Sequence, residues 1–124
     1  MIIGIGIDIV SIDRLQTALK GTPSMEQKVF TPEEIRFCSS RKNTYQHFGG
    51  RFAAKEAALK ALGTGWSKGI RWTDVEITKG DRGEPILSFH AKAKKVFEKL
   101  GAQITWLSIT HSTDHAVAVV VLEK

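Results

Sequence analysis

The segment Arg51–Gly65 constrains the fold of this chain more than any other part of the sequence. It reads RFAAKEAALKALGTG, and its alanines favour a helix that neighbouring backbone can approach closely. Gly63 and Gly65 are residues that typically end such a helix. Glu56 and Lys60 stand four residues apart and therefore lie on one face of it. The segment thus predicts a long helix that carries charged side chains on a closely packed surface.

A second carboxylate stands in the apolar N-terminal segment MIIGIGIDIV. Its β-branched residues predict a buried strand over residues 2–10, and the interleaved Gly4 and Gly6 indicate that another element packs very close to it. Burying Asp8 there without a partner would be costly. Mg²⁺ needs few protein ligands when substrate phosphates complete its shell, so Asp8 and Glu56 are the predicted metal ligands.

Two structural alternatives stay open for these carboxylates. Asp8 could cap the helix that begins a few residues after it. Glu56 could form an ordinary surface ion pair with Lys60, which would contribute little to stability.

The order of predicted elements indicates an α+β fold with a mainly antiparallel sheet and one long central helix. A capping pattern, TPEE, is a strong signal for the start of a helix at Thr31. Alternating apolar residues and turn residues predict the strands. After the first strand we expect helices over residues 12–20, up to Phe30, 31–40 and 45–62, a hairpin over 74–78 and 85–89, a helix over 91–100, and strands over 103–111 and 116–122.

Length and composition favour a single domain over residues 1–124. The chain has 124 residues, 42% of them hydrophobic, which is enough for one modest core. No apolar run approaches the roughly 20 residues needed to cross a bilayer, and the N-terminus lacks the features of a secretory signal. We therefore expect no membrane association and a cytoplasmic location. The single cysteine, Cys38, cannot form an internal disulfide.

A formal net charge of +5 predicts an anionic partner: nucleic acid, a nucleotide-like cofactor or an acidic protein. Nucleic acid is not expected, because the basic residues are dispersed and no RNA-binding motif is present. Neither a zinc motif nor the GxSxG pattern of serine hydrolases occurs. His111 shares a strand face with Leu107 and Ile109, whereas Ser108 and Thr110 face the other way.

Four blocks of sequence resemble the holo-acyl-carrier-protein synthases, the small bacterial type of 4′-phosphopantetheinyl transferases. They are GIGIDIV from Gly4, RFAAKEAALKALGTG from Arg51, GEP from Gly83 and SITH from Ser108, and the resemblance covers essentially the whole chain. It implies the fold of that family and transfer of the 4′-phosphopantetheine group of coenzyme A to a serine of apo-acyl carrier protein. Adenosine 3′,5′-bisphosphate would be released, and the reaction would serve fatty acid biosynthesis.

The same resemblance implies roles for individual residues. Asp8 and Glu56 would hold Mg²⁺ against the pyrophosphate, and Lys60 would neutralise charge during the attack. The general base would be Glu56, directly or through water, or else Asp8 through a bound water. A larger set would bind coenzyme A: Arg51, Ser108, Thr110 and His111 at its phosphates, and Gly63, Thr64, Gly65, Gly83 and Pro85 along its adenine and pantetheine cleft.

The resemblance also implies partners. The acidic carrier protein would dock on Arg14, Lys20 and Lys28. Family members form trimers with sites between subunits, and a homotrimer would bury a face of the apolar strand over residues 116–121. The segment His47–Gly49 departs from a more aliphatic family pattern, and Ser11 replaces a residue that is often acidic.

The main alternative function is a non-catalytic basic module that binds a nucleotide or an acidic protein. A different metal-dependent phosphoryl enzyme is a further alternative.

Overall fold

The computed structural model describes residues 1–67 and 69–124 and has the α+β architecture that the sequence predicts. Its strands form two antiparallel sheets, one of three strands in the order β1-β5-β4 and one hairpin of β2 and β3. Each element predicted with bounds is present to within one residue at either end. The elements are β1 (Ile2–Ser11), α1 (Ile12–Gly21), α2 (Ser24–Val29), α3 (Pro32–Ser39), α4 (Thr44–Leu62), a 3-10 turn (Trp72–Asp74), β2 (Val75–Lys79), β3 (Pro85–Phe89), α5 (Ala91–Lys99), β4 (Ile104–His111) and β5 (His115–Glu123).

The helix boundaries follow from local side-chain chemistry. Ser11 caps α1, since its side chain accepts a hydrogen bond from the backbone N–H of Arg14. Thr31 and Glu34 form a reciprocal capping box at the start of α3. Gly63 ends α4 with a φ of 79°, a conformation that favours glycine.

Helix α4 packs directly on the backbone of β1. A Cβ atom at Gly4 would lie 2.2 Å from the carbonyl oxygen of Ala61, and one at Gly6 would lie 1.9 Å from that of Ala57. The close approach expected from the glycine pair is therefore confirmed. It brings the strand that carries Asp8 against the helix that carries the other predicted site residues.

The prediction that β1 is a buried strand is correct for only one of its faces. The side chains of Ile5, Ile7 and Ile9 are 61–64% exposed, because α4 covers the opposite face of the sheet. Trp106 of β4 is 58% exposed, and the strand register places it on the same uncovered face. The single chain thus presents an apolar sheet surface to solvent.

A buried ion pair joins α3 and α4 to the second sheet. Lys55 Nζ lies 2.9 Å from Glu34 Oε1, and both side chains are completely buried. Lys55 also donates to the carbonyl oxygens of Trp72 and Val75, while Glu34 Oε2 accepts from the N–H of Ile77 at 2.8 Å. Burial lowers the pKa of Lys55, and the Glu34 carboxylate opposes this effect. No pattern along the sequence indicates this pair.

Within the two stretches that the structure describes, none of the helices has the length and apolar character required to cross a membrane.

Candidate active site

Asp8 and Glu56 line the same open cleft between β1, α1, α2 and α4. Its volume is about 410 Å³, and Arg14 of α1 stands in its wall. The remaining walls are mostly apolar and include Leu15, Ala18, Met25 and Phe52. The structure therefore brings together the two carboxylates that the sequence selects, and it adds a basic residue and an apolar surface beside them.

Lys60 reaches across from α4 to β1. Its Nζ donates to Asp8 Oδ1 at 3.0 Å and to the carbonyl oxygen of Ile7 at 3.0 Å. Both structural alternatives for the carboxylates are thus contradicted: Ser11, and not Asp8, caps α1, and the ion pair that Lys60 makes among the described residues is with Asp8 rather than Glu56. Three charged groups meet at one end of the cleft.

The electrostatics of Glu56 set it apart from an ordinary surface carboxylate. Burial raises its pKa, and the nearby Asp8 carboxylate raises it further. Lys60 and the Trp66 indole act in the opposite direction, although Trp66 Nε1 is buried without a hydrogen bond of normal geometry. Glu56 is therefore a stronger base than a free carboxylate.

The pair of carboxylates suits a hard divalent cation that takes few protein ligands. The parts of the chain described here hold no cluster of three or more His, Cys, Asp or Glu side chains that could enclose a metal. Mg²⁺ does not require such a cluster, because water and phosphate oxygens complete its octahedral shell. A cation between Asp8 and Glu56 would also relieve the repulsion that raises the Glu56 pKa. The residues present fit Mg²⁺.

A group of basic side chains, which we call the basic cluster, consists of Arg41, His47, Arg51 and His111. The Arg51 guanidinium lies 4.0 Å from the ring centre of Phe37 and Arg41 lies 4.4 Å from it. The ring centres of His47 and His111 are 6.4 Å apart. Arg51 is only 6% exposed, and its Nε has no hydrogen-bond partner among the described residues. Such a donor is suited to an anion.

The basic cluster and the carboxylates face different sides of α4. Arg51 and Glu56 are five residues apart, so their side chains point about 140° apart around the helix. In the sheet, β5 separates Asp8 from β4, which carries His111, by two strand spacings, roughly 10 Å. Ser108 and Thr110 lie on the outer sheet face, opposite His111, as predicted from alternation. A single chain therefore does not assemble all the predicted phosphate ligands around Asp8.

The glycine residues predicted to shape the coenzyme cleft occupy two turns. Gly63, Thr64 and Gly65 follow α4 directly, and both glycines have positive φ. This turn leads to Trp66, which lies against Trp72 and beside Glu56. Gly83 and Pro85 belong to the β2–β3 hairpin, where Gly83 has a φ of 82°, and neither lines the carboxylate cleft.

The three residues predicted to dock the carrier protein lie at separate places. Arg14 lines the carboxylate cleft. Lys28 lines a neighbouring cavity of about 460 Å³ walled by Trp66 and Trp72. Lys20 lies elsewhere on α1, with Nζ 5.5 Å from the ring centre of Tyr45. Arg14 therefore lies next to the two carboxylates, whereas Lys20 lies farther around α1.

Sequence reasoning assigned no role at the site to Arg41, His47, Phe52, Trp66 or Trp72, and it expected the two tryptophans to be core or interface anchors. His47 and Arg51 are four residues apart on one helix, which is the one local signal that could have linked them. The contacts of Arg41 with Phe37, and of Phe52 with Trp72 at a ring distance of 5.1 Å, join different elements. Contacts between different elements cannot be predicted from the spacing of residues along the sequence.

Comparison with known proteins gives one consistent result. The family model of the 4′-phosphopantetheinyl transferase superfamily matches residues 4–120. A holo-[acyl-carrier-protein] synthase of Geobacter sp. (strain M21) is 45% identical over 125 residues, with 100% of both chains covered. A solved holo-(acyl-carrier-protein) synthase from Bacillus anthracis, in complex with CoA (3′,5′-ADP), has a TM-score of 0.82 and 38% identity, covering 98% of this chain and 96% of that one. The enzyme from Neisseria meningitidis has a TM-score of 0.89 and 34% identity, with both chains covered completely. The chain therefore belongs to the 4′-phosphopantetheinyl transferase superfamily, and within it to the family of the holo-[acyl-carrier-protein] synthases.

Proposed function

We propose that this chain transfers the 4′-phosphopantetheine group of coenzyme A to a serine hydroxyl of apo-acyl carrier protein, in fatty acid biosynthesis. The observation that carries the proposal is the proximity of Asp8, Glu56 and Lys60: the two carboxylates line one cleft, and Lys60 is bonded to Asp8 beside it. Relatives that share the whole length of the chain are holo-[acyl-carrier-protein] synthases, and one was solved with coenzyme A.

The reaction is a displacement at phosphorus in which one bond forms and one bond breaks. The serine oxygen forms a bond to the phosphorus that bears pantetheine, and the bond from that phosphorus to the bridging oxygen breaks. Adenosine 3′,5′-bisphosphate leaves with the electron pair, and the serine proton passes to a base. Catalysis of such a step depends on positioning and charge neutralisation.

Asp8, Glu56 and Lys60 each have a role in this step. Glu56 accepts the serine proton, directly or through a water molecule, because it lines the cleft that the serine would enter. Lys60 stabilises the negative charge that develops on the phosphoryl oxygens, and its bond to Asp8 holds its ammonium group in place. Asp8 and Glu56 would hold Mg²⁺, which when bound supplies positive charge to the pyrophosphate.

Basic and apolar residues of the cleft suit the carrier protein. Acyl carrier proteins are acidic, and Arg14 stands beside the carboxylates on a wall that also presents Leu15 and Met25. Lys28 and Lys20 extend the positive charge away from the cleft along α2 and α1. Charge complementarity of this kind would accelerate association and weaken with added salt.

We further propose a homotrimer in which each site is shared between subunits. Two features support it: the apolar outer sheet face of Ile5, Ile7, Ile9 and Trp106, and the separation of the basic cluster from the carboxylates within one chain. A neighbouring subunit could bring its basic cluster, together with the outer-face residues Ser108 and Thr110, to the phosphates of coenzyme A. We propose that two turns, Gly63–Gly65 and Gly83–Pro85, shape the cleft for the adenine and pantetheine parts of coenzyme A.

We also propose that residues 1–124 form a single domain and that the protein is located in the cytoplasm. The domain proposal is supported by one cluster of buried side chains that draws on both sheets and on helices α1 to α5, with members from Val10 to Leu122.

Mass spectrometry of the carrier protein tests the proposed reaction. The protein is incubated with apo-acyl carrier protein, coenzyme A and Mg²⁺, with and without a chelator. We expect the carrier mass to rise by one phosphopantetheine group, and the chelator to prevent it. The Glu56→Gln variant distinguishes a transferase from a non-catalytic binding module. We expect this variant to bind coenzyme A but to lose the transfer activity. Full magnesium-dependent turnover by this variant would contradict the proposal.

A further inference from the structure

His47 and Arg41 are the two residues of the basic cluster that neither the reaction nor the resemblance uses, and His47 is the one that can change its charge near neutral pH. It lies half-buried on α4, one turn before Arg51, in a segment where the sequence departs from the family pattern. Its ring stands edge-on to Phe37 at 5.4 Å, and the charges of Arg51 and Arg41 act on it. A histidine placed beside two arginines needs a physical explanation, because its protonated form is repelled there.

We propose that His47 is a phosphate ligand of the transferase, and that it takes up a proton when a phosphate monoester dianion binds between it, Arg51 and His111. The inference rests on the proposed function and deepens it, because the adenosine of coenzyme A carries such a monoester at its 3′ position. It makes His47 a specificity-determining residue for the phosphorylated form of the cofactor.

Geometry supplies the first argument. The two imidazole rings are 6.4 Å apart between centres, and a charge-assisted N–H···O bond spans about 2.8 Å, so one phosphate group can accept from both rings. Arg51 presents a buried Nε that has no partner among the described residues. Phe37 backs the site, since it contacts Arg41, Arg51 and His47. The two imidazole rings and the Arg51 guanidinium therefore lie close together in the fold, and the Arg51 Nε lacks an acceptor among the described residues.

Charge supplies the second argument. Burial lowers the pKa of His47, and Arg51, Arg41 and His111 lower it further. These are the charged groups that face His47 from its own helix, from the segment before it and from β4. Glu34 of α3, whose carboxylate acts on Arg51, is already paired with Lys55. In the free protein His47 is therefore neutral at pH 7. A dianion would reverse the sign of the local potential and so favour the imidazolium.

Calorimetric titration measures this proton uptake directly. Coenzyme A is titrated into the full-length protein at pH 7 in buffers of different ionisation enthalpy, which gives the number of protons taken up on binding. The variants are His47→Gln, which is neutral and polar, and His47→Phe, which keeps the ring contact with Phe37. His115→Gln is the matched control, because His115 is exposed at the start of β5, outside the basic cluster.

The expected result has three parts. The wild type and His115→Gln take up several tenths of a proton more than either His47 variant. The His47 variants bind coenzyme A a few-fold more weakly, and the difference grows as the pH falls from 8 to 6. Dephospho-coenzyme A, which lacks the 3′-phosphate, shows no difference in proton uptake between the wild type and the variants.

Three outcomes would overturn the inference, and the first two separate it from the proposed function. Equal proton uptake by the wild type and both His47 variants, with coenzyme A bound and transfer intact, refutes the role of His47 alone. A wild type that binds no coenzyme A refutes both. A difference that persists with dephospho-coenzyme A would also refute the assignment, because His47 would then respond to another part of the ligand.

Discussion

Lys60 Nζ lies 3.0 Å from Asp8 Oδ1, although the two residues are 52 positions apart in the sequence. The pair ties the last turn of α4 to the middle of β1. It also holds a positive charge within reach of the cleft where Glu56 stands. A lysine held in this way needs no reorganisation when negative charge develops during phosphoryl transfer.

Replacing Lys60 by methionine should lower kcat by about 10²- to 10³-fold, because the positive charge acts mainly in the transition state. The KM for the carrier protein should change little. Steady-state kinetics with coenzyme A and apo-carrier measure both constants. Lys79→Met, at the exposed end of β2, serves as the control and should retain wild-type kinetics. A loss of less than tenfold for Lys60→Met would argue against its proposed role.

The raised pKa of Glu56 predicts a pH-dependent effect on stability. Burial and Asp8 hold the folded-state pKa above the usual 4.5, so the unfolded state loses its proton first as the pH rises. Ionised Glu56 therefore destabilises the fold at pH 7. Glu56→Gln should raise the free energy of unfolding at pH 7, and the gain should fade as the pH falls towards 4.5. Urea unfolding at both values tests this, with Glu98→Gln on exposed α5 as the unaffected control.

Gly6→Ala should destabilise the fold by about 1–3 kcal/mol or more, because it forces an extra atom into a packed interior. The added Cβ would lie 1.9 Å from the carbonyl oxygen of Ala57, and backbone cannot rotate away as a side chain can. Gly21→Ala is the matched control, because a Cβ there meets no atom within 4 Å. Chemical denaturation should show a large loss for the first variant and no loss for the second. Equal stability of the two would mean that the strand and helix are farther apart.

Lys55→Met should cost about 3–5 kcal/mol, because it leaves the Glu34 carboxylate buried without its cation. Adding Glu34→Gln to this variant should recover part of the loss, since the remaining side chain is neutral and its oxygen can still accept a hydrogen bond. Lys94→Met on exposed α5 should change stability by less than about 0.5 kcal/mol. Thermal and urea unfolding of the four proteins give the comparison. A cost below 1 kcal/mol for Lys55→Met would indicate that water reaches Glu34.

Ile7→Glu should dissociate the proposed trimer, since it places a charge in the centre of the apolar sheet face. Light scattering after size-exclusion chromatography would then give the mass of a single chain, and transfer activity should fall with it. Ile86→Glu, on the exposed side of the β2–β3 hairpin, should leave the mass unchanged. A wild type that elutes as a monomer at all concentrations would contradict the trimer itself.

Local signals accounted for most of the fold. The capping box at Thr31 and the terminal glycine at Gly63 each act over a few residues, so the sequence reveals them directly. The pairing of Gly4 and Gly6 with α4 could also be anticipated, because residues without side chains in an apolar strand indicate a close neighbour. The exposure of Ile7 could not, since its surroundings depend on which sheet face α4 covers.

The candidate site likewise contains some residues that the sequence predicts and others that it does not. Asp8, Glu56 and Lys60 could be selected because unpaired charge in apolar segments needs a partner. The neighbours of Lys55 could not be found, because Glu34 lies 21 residues away and joins it only after α3 has packed against α4. The basic cluster is likewise assembled from the segment before α4, from α4 and from β4. The spacing of His47 and Arg51 on α4 is its one pattern along the sequence, and nothing in the sequence links them to Arg41 or His111.

The contact between the glycines of β1 and the carbonyl groups of α4 has a consequence for how the site tolerates change. Asp8 and Glu56 are carried by two main chains that touch each other, so their spacing does not depend on the shape of any intervening side chain. Substitutions elsewhere in the core can alter overall stability while the two carboxylates keep their separation. The site can therefore stay constant while most of the surrounding sequence diverges.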